Sequence, residues 1–488
     1  MWKLFAFVLV LPALVACVPG DGESSNGTGT TSSSVIGDFS EDNFNEGPAV
    51  PADIDGQFFY FSYDDSSSTA ARDLSIFALD NGSVPASYWG RPYEFLNAEV
   101  LDHFNEEQLG PFGVSIGAYV SEPGDIVLTE EQGQLFALGV NLTGPVISKE
   151  ERKNVVLTLL LDISGSMQGS YAYETRSDLR SLLDVAKHGL QQLPLSLKEG
   201  DVVNLVTFGS YANVLSEGRT FDQDGWSQLI TGINSDGSTD LNAGIKLAYE
   251  VANRTYNPEK ANRVILLTDA YANQGEIDPA VISERTVING LEGIYFAGVG
   301  IGSGFNEAFL NELTEAGKGV YSAMITPTDA ERIFTNQFMR FIDTAVKDVK
   351  FKLEYPNSLK HVVSAAEEVS ETESDVQSVD FSYNSQQFFY EVFLPAEDYS
   401  NAAEITLEIQ YRDASNELVY KRLTKTLADL VVQGEEQIKS AAAVTTLAYL
   451  ISGRASCDDV LASGLYADEV DQPLFMAYKT HIAYYCSL

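Results

Sequence analysis

Residues Val155–Leu161 (VVLTLLL) are apolar at every position but Thr158 and run directly into Asp162. A run of that length without period-2 alternation reads as a strand buried on both faces. Similar runs follow at Val202–Phe208, Val264–Thr268 and Ile294–Val299. Between them lie segments with apolar residues at helical spacing, Ser177–Leu193 (Leu179, Leu182, Leu183, Ala186, Leu190, Leu193) and Leu241–Val251, and a further helix closes at Phe309–Ala316. Strands and helices alternating at short spacing require a doubly wound, mostly parallel, Rossmann-like α/β sheet with helices on both faces. That fold class is expected over residues 151–345.

The flanks follow a different pattern. In residues 51–150 the short pieces Gln57–Phe61, Val114–Ile116 and Gln134–Leu138 read as strands, and RPYEFL from Arg91 opens a short helix. From about residue 346 to 430, VKFKL at Val349, then Phe388–Leu394 and Ile405–Tyr411, have the alternation of half-buried antiparallel strands. Neither stretch is rich enough in strands alone, so a β-sandwich completed by both is expected. Residues 431–488 form a C-terminal helical region, with an amphipathic helix over 435–453 ending at Gly453. A long last helix of the α/β region is expected over 325–348, through Ile333, Phe334, Phe338, Phe341 and Ile342. No internal repeat is present.

The first residues are of another kind. Lys3 precedes an apolar stretch, Leu4–Val15, that is shorter than the ~20 residues a bilayer span needs. It reads as the core of a signal peptide over 1–17. Its end, Leu14-Val15-Ala16-Cys17, resembles the lipobox of bacterial lipoproteins, which implies lipidation at Cys17 after cleavage. Residue 18 is valine rather than aspartate, so the resemblance points to the outer membrane or cell surface rather than the inner membrane. Residues 18–50, rich in Gly, Ser, Thr and acids, make a flexible linker. Only two further cysteines occur, Cys457 and Cys486, and an oxidising compartment permits a bridge between them. Thirty Lys and Arg against 70 Asp and Glu give a net charge of −40, which repels a phosphate backbone and argues against nucleic acid.

Chemistry concentrates where the first α/β strand ends. In open α/β sheets ligands bind outside the carboxyl ends of the strands, and there Asp162, Ser164 and Ser166 offer a carboxylate and two hydroxyls within five residues. All-oxygen donors of this kind suit a hard cation. DISGSM resembles the DxSxS motif of the metal-ion-dependent adhesion site of von Willebrand factor A (vWA) domains. GSTDL resembles that family's second motif and points to Thr239; LLTD resembles its third and points to Asp269. The resemblance covers about 40% of the chain, with the motifs in family order. It implies that Ser164, Ser166 and Thr239 bind Mg²⁺ (or Mn²⁺, and after it Ca²⁺) through their hydroxyls, while Asp162 and Asp269 act largely through water. A partner's carboxylate would complete the coordination sphere. RPYEFLN, VKDVKFKLEYP and IKSAAAVTTLAYLISG further resemble the flanks of a bacterial family carrying a vWA domain.

Other signals are weaker. The glycine-rich GVGIGSG after Ile294–Val299 lacks the second half of a nucleotide fold. DQDG at Asp222 misses the EF-hand spacing, and the four histidines are scattered, against a zinc site. No nucleophile elbow and no placed general base points to an enzyme. The expectation is an exported, lipid-anchored binding protein, not an enzyme, that captures an acidic group on a protein partner through a metal. The alternatives are an envelope assembly component with a stabilising metal, and after it a metal-dependent hydrolase.

Overall fold

The computed structural model describes residues 56–488 apart from 63–67, 130, 132, 170–178, 221, 277, 279–281, 284–285, 287, 290–292, 316–318, 414 and 468–471. The signal peptide, Cys17 and the 18–50 linker lie outside the described residues.

The α/β region has six strands: β1 (Val155–Asp162), β2 (Val202–Phe208), β3 (Ala212–Thr220), β4 (Ala261–Thr268), β5 (Ile294–Ile301) and β6 (Val320–Met324). Its helices include α1 (Leu182–Gln192), α2 (Gln223–Thr231), α3 (Leu241–Thr255), α4 (Glu307–Glu315), α5 (Pro327–Phe334) and α6 (Phe338–Ile342). The sheet order is β6-β5-β4-β1-β2-β3, parallel except for β3. Every residue of β1 is buried because both faces are covered. Leu157, Leu159 and Leu161 pack with Ala186, Leu190 and Phe334, whereas Leu160 packs with Phe208, Ile245 and Leu310 on the other side. Each such leucine contributes about 1.5–3 kcal/mol of burial, which is why the strand tolerates no polar alternation. The order turns at β1, with β4 on one side and β2 on the other, so the crevice at their carboxyl ends is the topological switch point.

At the opposite end of the sheet, the buried Asp201 carboxylate accepts hydrogen bonds from Arg152 (Nη2, 2.5 Å), Lys198 N (2.8 Å), Val155 N (3.0 Å) and Asn154 Nδ2 (3.1 Å). Burial opposes its ionisation, but Arg152 and the two backbone N–H groups outweigh that and hold the carboxyl below the usual aspartate range. This cluster fixes the start of β1 against the turn into β2.

Segments on either side of the α/β region interleave in two antiparallel sheets. One runs Glu368–Ser370, Gly56–Ser62, Thr344–Pro356, Glu404–Arg412, Leu418–Thr426, with Val379–Ser382 also paired to Thr344–Pro356. The other runs Leu359–Ser364, Gln386–Pro395, Phe136–Thr143, Phe112–Val120, Glu107–Leu109. Their inner faces share a core of Phe61, Phe112, Phe351, Phe381, Phe389 and Leu407.

The expected helix over 325–348 is instead two short helices and a strand. Thr326 and Asp329 form a capping box that starts α5, but Thr335 leaves helical geometry at ψ −89°, and after α6 the strand Thr344–Pro356 begins. Apolar residues at helical spacing therefore spanned two elements. The helix Glu435–Ile451 is not amphipathic: 13 of its 17 residues are buried. It packs among the helices Pro92–Ala98 and Pro473–Tyr485 and one face of the sandwich, through Leu96, Phe388, Tyr390 and Ile482. A helix enclosed on all sides carries no polar stripe. The disulfide Cys457–Cys486 joins the last helices, with Cα atoms 5.5 Å apart. No helix among the described residues is long and apolar enough to cross a membrane.

Candidate functional site

Three loops meet at the switch point. The first leaves β1 at Asp162, which is fully buried. Its Oδ1 accepts the N–H of Ser164 (2.8 Å) and its Oδ2 accepts the hydroxyl of Thr268 on β4 (2.6 Å). Ser164 is buried and Ser166 exposed, with their hydroxyl oxygens 3.0 Å apart. The second loop carries Thr239 and leads into α3, whose first turn is capped by Asp240 Oδ1 accepting from Ala243 N (3.0 Å). The third leaves β4 at Asp269, which is 2% exposed.

The loops are stitched by backbone bonds. Asp236 N donates to Ile163 O (2.6 Å), Gly165 N to Gly237 O (2.8 Å) and Asp240 N to Gly209 O (3.0 Å). Gly237 has φ +67°, and a Cβ there would lie 1.8 Å from Ser210 Oγ, so only glycine lets the Thr239 loop close on its neighbour. Thr239 is then held on both sides of its peptide: its N–H donates to Asn273 Oδ1 (3.0 Å), and its carbonyl accepts from Asn273 N and Gln274 N (both 3.2 Å). Asn306 N, one residue before α4, donates to the carbonyl of Asp269 (2.9 Å). Glu307 beside it is paired with Arg91 at 2.5 Å, so a partly buried ion pair from the N-terminal flank abuts this loop.

The Ser166 hydroxyl lies near enough to the Asp269 carboxyl to favour its charged form. Asp162, Ser164, Ser166 and Asp269 thus lie together, and the loop carrying Thr239 joins theirs through the Gly165–Gly237 backbone bond. Burial pushes the Asp162 carboxyl up to about 6, against the opposing hydrogen bonds from Ser164 and Thr268, and the nearby Asp269 adds to the rise. Burial raises Asp269 as well, against the nearby Ser166 hydroxyl. Neither carboxylate has a basic partner among the described residues. Two buried carboxylates without a cation are costly, and with the Ser164 and Ser166 hydroxyls beside them and Thr239 on the adjoining loop the donor set fits a hard divalent ion. No cluster of three or more His, Cys, Asp or Glu among the described residues offers a competing centre.

Sequence reasoning missed Thr268 and Asn273, which hold Asp162 and Thr239 in place. Thr268 ends an apolar strand and its neighbour Asp269 drew the attention. Asn273 is visible only as a polar residue in a loop.

A doubly wound sheet with an oxygen-lined crevice at its switch point defines the class of α/β domain, and the model of the von Willebrand factor type A domain family matches residues 157–272. The chain therefore carries a vWA domain. The Escherichia coli (strain K12) protein YfbK is 28% identical over 224 residues, 46% of this chain and 37% of that one. Inter-alpha-trypsin inhibitor heavy chain H3 of Mesocricetus auratus is 28% identical over 221 residues, 42% of this chain and 23% of that one. The match thus spans well under half the length of either relative. Among solved structures, a von Willebrand factor type A protein from Catenulispora acidiphila is similar at 15% identity and TM-score 0.41, covering 71% of this chain and 80% of that chain.

Proposed function

We propose that Asp162, Ser164, Ser166, Thr239 and Asp269 hold one divalent cation, Mg²⁺ or Mn²⁺ before Ca²⁺, and that the ion receives a carboxylate from a protein partner. The protein is then a binding protein rather than an enzyme, exported and anchored to the envelope by lipid on Cys17. The observation that carries this reading is the pair of buried carboxylates without a basic partner, set at the switch point beside the Ser164 and Ser166 hydroxyls and next to the loop that carries Thr239. The hydroxyls add no charge, and with Asp162 and Asp269 acting largely through water no carboxylate of the chain need bind the ion directly, so its coordination sphere stays open to one from a partner. Mg²⁺ retains waters that an incoming carboxylate can displace.

The test is calorimetric titration of Mg²⁺, Mn²⁺ and Ca²⁺ into the protein and into Asp162→Ala. Saturable binding lost in the variant is expected. Binding that is unchanged in the variant would place any ion elsewhere and refute the reading.

A further inference from the structure

Asp162 has both carboxylate oxygens engaged inside the protein, and one partner comes from a different strand. Thr268 is fully buried at the end of β4, beside β1 in the parallel sheet. Its hydroxyl donates to Asp162 Oδ2 at 2.6 Å. The Thr268 hydroxyl oxygen itself accepts the N–H of Ala270 at 2.9 Å. That second bond fixes which way the hydroxyl proton points. An oxygen already accepting from Ala270 directs its own hydrogen at the carboxylate. Ala270 makes the contact with φ at +58°, a left-handed conformation costly for any residue with a Cβ, and it is buried. Backbone strain of this kind persists only where the surroundings over-determine it.

We infer that Thr268 is a positioning residue of the cation site: it locks the Asp162 carboxylate from behind, so that the Asp162, Ser164 and Ser166 donors face the crevice as one preformed set. This rests on the cation reading above. Groups that orient metal-site carboxylates without touching the ion change metal affinity by about 10–100-fold when removed.

The experiment titrates Mg²⁺ and Mn²⁺ into the full chain and into Thr268→Val, Thr268→Ser and Thr268→Cys, with melting recorded for each. Valine keeps the volume and branching but has no hydroxyl. Serine keeps the hydroxyl. Cysteine keeps a small side chain with a far weaker donor and serves if valine prevents folding. Asp201→Asn, at the opposite end of the sheet, controls for instability alone. The expected result is affinity weakened about tenfold or more in the valine or cysteine variant, restored to within a few-fold by serine, and unchanged in Asp201→Asn despite its lower melting temperature. Valine and cysteine variants that bind as the parent does would overturn the role of Thr268 while leaving the cation reading intact. A parent protein that binds neither ion would overturn both.

Discussion

Replacing Asp162 by asparagine should make the metal-free protein more stable and the metal-loaded protein less so. The gap between the ordinary aspartate value of 3.8 and about 6 in the folded protein corresponds to about 3 kcal/mol, at 1.36 kcal/mol per pH unit. The sign follows from proton binding. Between those two values the folded chain holds this proton and the unfolded chain does not, so stability falls as pH rises, and above about 6 the full cost is present. Asparagine is neutral and nearly isosteric. Its amide oxygen can still accept one of the two bonds, from Ser164 N or Thr268 Oγ1, so about 1 kcal/mol is lost. The net gain at pH 8 without metal is about 2 kcal/mol, or about 4–8 °C for a domain of this size. In the parent, Mg²⁺ at 100 times its dissociation constant adds about 2.7 kcal/mol, about 5–11 °C. Scanning calorimetry of both proteins at pH 8, with EDTA and with Mg²⁺, should therefore give melting curves that cross: the variant higher in EDTA, the parent higher in Mg²⁺. A variant that melts below the parent in EDTA, or that still rises with Mg²⁺ by the parent's increment, would refute the argument that an uncompensated Asp162 charge creates the demand for a cation.

Three further outcomes are expected. Ala270→Gly removes the left-handed penalty at φ +58° while adding unfolded-state freedom, and should raise stability by up to about 1 kcal/mol in denaturant unfolding. Asp201→Asn leaves the buried Arg152 guanidinium without its counter-charge and should cost about 3–5 kcal/mol by the same assay. Since the folded Asp201 carboxyl sits below its ordinary range, the parent's advantage over this variant should be fully present above about pH 4 and shrink as pH falls through the lower folded value. Reducing the Cys457–Cys486 bridge, which spans 29 residues, should destabilise the C-terminal helices by about 3–4 kcal/mol on loop-entropy grounds, visible as faster amide exchange in Pro473–Tyr485.

What the sequence revealed and what it hid divide along a physical line. The strand Val155–Asp162 was legible because burial on both faces writes itself as an unbroken apolar run. The three loop motifs were legible because their donors lie close in sequence, as Asp162, Ser164 and Ser166 do. Where a pattern has two structural causes it misled. The apolar spacing through Phe334 and Phe338 reads as one helix, yet Thr335 breaks it, because the chain must turn from the α/β core into the strand Thr344–Pro356. The helix Glu435–Ile451 was found but its surroundings were not, since burial on all sides depends on partners as remote as Leu96 and Ile482. Thr268 marks the limit most sharply. Its hydroxyl acts on Asp162, 106 positions away, across a pairing of β1 with β4 that only the sheet order supplies. The oxygen donors within each motif are local in sequence and readable. The groups that hold those donors in place are set by strand neighbours, so a motif alone does not say whether its carboxylate is locked or free to swing. Here the lock comes from the residue immediately before the motif's own aspartate, Asp269, so the two carboxylates of the site are tied through one strand end. Disturbing β4 at Thr268 should therefore be felt at both.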